Sequence, residues 1–161
     1  MPSLLRRILA PLARATSPRI SAASSGHRTV EVDPRAVRDL VLRYAPAPDG
    51  TPDAGEVVWT WVPFAERDGR GKDRPVLVIA PLDSARAYAV KLTSRSHDGD
   101  REFLPLGPGP WDAAGRASWV DLDQLYIVHE GGMRREGAAL DRARYVAVAA
   151  ELARRYEWRV A

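Results

Sequence analysis

The chain has 161 residues, 45% of them apolar and 28% charged, a balance suited to one packed domain with an extension. It has no cysteine, which excludes disulfides and thiolate metal sites, and its apolar runs fall short of the about 18 residues that span a bilayer. The net charge of +3 is unevenly placed: residues 1–48 hold eight arginines against three acids, and the remainder holds 16 basic and 18 acidic residues. The body therefore offers a polyanion no general attraction, only what a local patch supplies.

Residues 1–28 contain five arginines, no acid, and several serines and prolines, and read as a disordered basic tail. Such a composition also suits a transit peptide. Residues 29–54 form an extension and linker. Val30 and Val32 alternate with charges, Leu40 to Tyr44 suggests an edge strand, and APAPDGTPDA is a Pro/Gly/Asp linker. The compact domain is expected from Gly55 to the end, over 55–161.

Its first stretch organises the rest. Val57 to Val62 is β-branched and aromatic and ends at Pro63, and Pro75 to Ile79 is a short unbroken apolar run. Between them, Glu66 to Arg74 reads as one charged loop that delivers Arg74 to the mouth of a β structure. Further strands are expected over Ala87 to Leu92, Glu102 to Leu106, and once or twice within Ala117 to Val128. A helix is expected over 138–158, where Tyr145, Val148, Ala149, Leu152 and Tyr156 share one face. Asp141 sits favourably near its start. Five or six short strands followed by one helix predict a mainly β fold, a small, strongly bent barrel with a C-terminal helix packed on it.

Few residues point to chemistry. His27, His97 and His129 lack ligand spacing, so no metal is expected. Asp121 and Asp123 share a strand face and read as exposed, solvated carboxylates. The Gly69 to Asp73 run lacks the spacing of a phosphate-binding loop, and no helix follows it. Arg74 is more informative: its charge is permanent and its rigid fork matches phosphate oxygens, unless Asp68 or Asp73 pairs with it. Thr93 and Ser94 end the third strand, where hydroxyls commonly cap the backbone. If Arg74 and Thr93 met at one barrel mouth, they would hold a phosphodiester. Trp59, Trp61 and Phe64 would then be available to stack bases, with at least one of the tryptophans in the core. His97 is a loop histidine available for acid–base work, with no partner visible.

Taken in order, GEVVWTWVPF, the loop ending in GKDRPVLVI, VKLTSRSHDGD and SWVDLDQLYIV resemble the PemK/MazF family of toxin-antitoxin toxins, most of all its actinobacterial branch. The similarity covers roughly residues 54 to 157. It implies an SH3-like β-barrel with a C-terminal helix, usually a homodimer, and a metal-independent, cofactor-free endoribonuclease acting on single-stranded mRNA in the cytoplasm. It also implies an antitoxin partner, with operator DNA reached only in the antitoxin complex. By position, the family's catalytic arginine falls on Arg74 and its catalytic threonine on Thr93. The loop that contacts RNA and antitoxin falls on residues 64–73, so substrate contacts are expected from Phe64, Arg70 and Lys72, and beyond Thr93 from Ser94, Arg95 and His97. Asp123 and Gln124 match a pair read as structural. The alternative is a non-catalytic barrel that binds DNA or a protein target, such as a gyrase-directed growth inhibitor, since SH3-like barrels serve many functions.

Overall fold

The computed structural model describes residues 25–47, 49, 51–134 and 138–161. The tail expected over 1–28 lies outside the described residues except for Ser25 to Arg28. Among the described residues ten short strands and one α-helix follow in order. They are β1 (Val30–Val32), β2 (Val41–Leu42), β3 (Val57–Pro63), β4 (Gly71–Pro81), β5 (Arg86–Thr93), β6 (Phe103–Gly107), β7 (Ser118–Asp121), β8 (Leu125–His129), β9 (Met133–Arg134), α1 (Arg142–Tyr156) and β10 (Arg159–Val160).

The main sheet runs β1-β8-β5-β4-β3-β9, with β7 pairing both β5 and β6, and β2 and β10 form a small parallel pair. Three strands separate β1 from β3 in that order. Even so, the Thr29 hydroxyl lies 2.9 Å from that of Thr60 on β3. The sheet therefore curls into an open half-barrel whose two ends meet on the Thr60 face. Thr60 spends its own proton on the Gly132 carbonyl at 3.0 Å, so Thr29 is the donor between the two hydroxyls.

Alternation along the strands divides the side chains between two cores. Val58, Val62, Val76, Val78, Ala87, Ala89, Tyr126 and Val128 fill the inside of the curl. Val57, Leu77, Ile79, Val90, Leu92, Val120 and Leu125 face the other way, onto the helix. α1 buries Tyr145, Val148, Ala149 and Leu152, the stripe legible in its 3.6-residue period. The helix is shorter than the expected 138–158. Asp141 caps its start by accepting the Arg144 N–H at 3.0 Å, and Glu157 ends it in the left-handed conformation at φ 59°. Ile79 is the extra residue where the β4–β5 register shifts, and the Tyr145 hydroxyl donates to its carbonyl at 2.7 Å.

The expected mainly β fold with a C-terminal helix is thus the one that forms. The segment ahead of Gly55 is built into it. Leu40 and Leu42 are buried, and the Trp158 indole donates to the Val37 carbonyl at 2.9 Å.

Candidate functional site

The β3–β4 hairpin carries the site. Its register pairs Val62 with Lys72, Trp61 with Asp73 and Thr60 with Arg74. The charged stretch read as one loop from Glu66 to Arg74 is therefore corrected: β4 already begins at Gly71. Arg74 sits inside a strand because Lys72 and Arg74 alternate with Asp73 across the pleat, two turned toward the inside of the curl and one away. At the hairpin's neck, a Cβ on Gly71 would strike the Val62 carbonyl and the Trp61 ring. The strand can start there only with glycine.

Pro75 then shapes the opening. It has no N–H to give the ladder, and pairing of β4 with β5 begins only at Val76, opposite Lys91. Past that point β5 leaves β4 and pairs with β7, Leu92 opposite Val120 and Thr93 opposite Trp119. Extending the β4–β5 register by two residues sets Arg74 across from Thr93. Both project from the inner face, on strands that have just parted.

A groove of about 450 Å³ opens beside them, lined by Pro63, Phe64, Ala65, Glu66, Arg70, Arg74 and Lys91. Arg74 is half-buried, and its guanidinium makes no hydrogen bond or ion pair among the described residues. The two carboxylates nearest it in sequence are taken. Asp68 holds Arg70 at 2.6 Å, which keeps its carboxyl below the usual range, and Asp73 holds Arg134 at 2.6 Å. The Arg74 charge is felt at the buried Tyr126 phenol. Burial pushes that phenol's pKa up, the charges of Glu31 and Asp121 add to the rise, and Arg74 opposes it.

The other expected site residues divide. Phe64 and Arg70 line the groove with Arg74, the Arg70 guanidinium lying 5.9 Å from the Phe64 ring centre. Lys72 is exposed on the inner-face register, opposite Val62. Thr93 does not line the groove, and its hydroxyl accepts the Arg95 N–H at 3.2 Å. Ser94 and Arg95 are exposed in the loop that follows. His97 has partners after all: its ring stacks on Phe103 at 3.5 Å, and its Nδ1 lies 3.5 Å from Asp100. Trp59 and Trp61 occupy the opposite face of β3 from Thr60, and Trp59 donates to the Trp111 carbonyl at 3.1 Å. They do not share a face with Arg74.

Asp121 is a further correction. Expected to be solvated, it is buried because its register against Phe103 on β6 turns it inward. Its Oδ2 lies 3.4 Å from the Lys91 ammonium, and its Oδ1 accepts the Asp123 N–H at 2.9 Å. Lys91 also donates to Gln124 Oε1 at 2.5 Å. Neither Lys91 nor Gln124 stood out as functional in the sequence. The available signal was the lysine at the inward register of AYAVKL, two residues before Thr93. His27 and His129 stack at 4.2 Å, yet among the described residues no three His, Asp or Glu side chains gather where a metal ion would bind.

Residues 53–155, well over half the chain, match the family model of the PemK-like, MazF-like toxin of type II toxin-antitoxin systems. The chain belongs to that family. No curated protein matches it. Membership in a two-component toxin-antitoxin family carries an antitoxin partner with it. Among the described residues no helix is long and apolar enough to cross a membrane.

Proposed function

We propose that this PemK/MazF-family toxin is a metal-independent endoribonuclease that cuts single-stranded mRNA at selected sequences. What supports the reading is Arg74: a guanidinium unpaired among the described residues, facing a groove whose described lining holds Arg70, Arg74 and Lys91 against the carboxylate of Glu66. A phosphodiester is an anion that a planar fork in such a groove suits.

The reaction needs no added nucleophile. The ribose 2′-hydroxyl gives up its proton to solvent as its oxygen attacks the adjacent phosphorus in line, a 2′,3′-cyclic phosphate forms, and the 5′-oxygen leaves and takes up a proton from solvent. Arg74 stabilises charge gathering on the phosphoryl oxygens, where a preorganised donor has its largest effect. Thr93 orients the same group across the gap between β4 and β5. Phe64 offers a ring for a base, and Lys72, Ser94, Arg95 and His97 extend the contacts along the strand. The toxin would act in the cytoplasm as a homodimer, silenced by its antitoxin and reaching operator DNA only in that complex.

The deciding experiment incubates purified protein with long single-stranded RNA in EDTA. Discrete cuts ending in cyclic phosphate are expected, and Arg74→Ala should slow them by about 10²–10³-fold. Undiminished cutting by that variant removes the site assignment. An absence of any cutting by the unaltered protein leaves a binding barrel in its place.

A further inference from the structure

Lys91 lines the groove beside Arg74, and its surroundings fix where its charge sits. An ammonium carries three N–H groups. One goes to Gln124 Oε1 and a second faces Asp121 Oδ2, which leaves one for a ligand in the groove. The Lys91 side chain keeps 20% of its surface exposed, against 6% for Asp121, so the pair opens toward solvent from the lysine side. Arg70 has its charge balanced by Asp68, which takes two of its five N–H groups. Arg74 and Lys91 are the groove-lining cations held on strands, and both keep donors for a ligand.

Gln124 is itself held in one orientation. Its oxygen accepts from Lys91 and, at 3.2 Å, from the Tyr126 hydroxyl, while its amide nitrogen donates to Glu31 Oε1 at 3.4 Å. Reversing the amide would turn N–H groups onto the ammonium and an oxygen onto a carboxylate, unfavourable at both ends. Glu31 lies on β1, opposite Tyr126 and ahead of the family-matched stretch. It is an addition from the leading segment to a site that the matched residues otherwise build.

We propose that Lys91 is a second phosphate-binding residue of this groove, and that Glu31, acting through the Gln124 amide, is its positioning residue. The inference rests on the RNA-cutting reading above. Arg74 supplies a planar fork and Lys91 a point charge to the phosphoryl oxygens, and the relay from β1 holds the ammonium at the groove edge.

The test is equilibrium binding of a mixed-sequence, 2′-O-methylated single-stranded RNA, which cannot be cut, across a salt series. Each phosphate contact contributes about 0.7 to the slope of log affinity against log salt for single strands. Lys91→Ala would strand the Asp121 carboxylate, so the variant is Lys91→Met with Asp121→Asn, its folding verified by circular dichroism. Weaker binding with a slope lower by about 0.7 is expected. Removing an acid near an anion site ordinarily tightens binding. Here Glu31→Ala is expected to weaken it, and Glu31→Gln, which keeps the acceptor, to restore it. An unchanged slope in the Lys91/Asp121 variant overturns the lysine assignment, and tighter binding by Glu31→Ala overturns the relay. Unaltered protein that neither binds this RNA nor cuts its unmodified counterpart brings down the RNA reading, and this inference with it.

Discussion

Arg74 draws its interest from having no counter-ion among the described residues. The two carboxylates nearest it in sequence are committed elsewhere, Asp68 to Arg70 and Asp73 to Arg134. Arg74→Ala should therefore leave stability within about 0.5 kcal/mol in a urea melt. RNA cutting should fall by about 10²–10³-fold, the usual cost of one charge-stabilising donor. A large stability loss with cutting retained would make the arginine structural. Tyr145 behaves oppositely. Burial pushes its pKa up, and its hydroxyl satisfies the carbonyl of the bulge residue Ile79. In the unfolded chain a tyrosine ionises near pH 10, at about the model-peptide value. The stability that comes from keeping this phenol neutral is whole below about pH 10 and is lost as pH rises beyond it. Tyr145→Phe should cost about 1–3 kcal/mol at pH 7, by leaving the Ile79 carbonyl unpaired. It should also flatten the decline in urea stability above about pH 10, where the unfolded tyrosine ionises and the buried one stays neutral. An equally steep decline in the variant would assign alkaline unfolding to other groups.

The elements were legible where one physical signal dominated. α1 announced itself because Tyr145, Val148, Ala149 and Leu152 repeat at helical spacing, and those are the residues it buries. Leu152→Ala should cost about 2–5 kcal/mol in a chemical melt, since the side chain is enclosed between helix and sheet. A cost below about 1 kcal/mol, outside that range, would mean that the helix packs loosely. The first turn of β4 was illegible for the converse reason. Lys72, Asp73 and Arg74 have the composition of a loop, and only the partner strand, with Thr60 opposite Arg74, reveals them as pleated. Arg74 and Thr93 were readable as types of residue. Lys91 and Asp121 were not, because their pairing depends on β5 leaving β4 at Pro75 and joining β7, a divergence with no local sequence mark.

At the scale of the whole molecule, the leading segment does more than its composition suggested. Residues 29–54 read as an extension ending in a Pro/Gly/Asp linker, because the pairing of β2 with β10, more than a hundred residues away, has no local sequence mark. β2 pairs in parallel with β10, the Trp158 indole donates to the Val37 carbonyl, and the Tyr44 hydroxyl donates to the Leu140 carbonyl at 2.6 Å. At the other end of the segment, Thr29 bridges to Thr60, and Thr60 stands directly across from Arg74. A chain beginning at residue 45 keeps the whole family-matched stretch but loses both leucines, the small parallel pair and the closing contact. At about 2 kcal/mol or more for each buried leucine, the loss should reach about 4 kcal/mol. For a domain of this size that lowers the melting temperature by about 8–16 °C. Scanning calorimetry of the two chains decides it: a shortened chain that melts with the full one would show the matched domain to be self-sufficient, and would leave β1 and β2 as passengers on its surface.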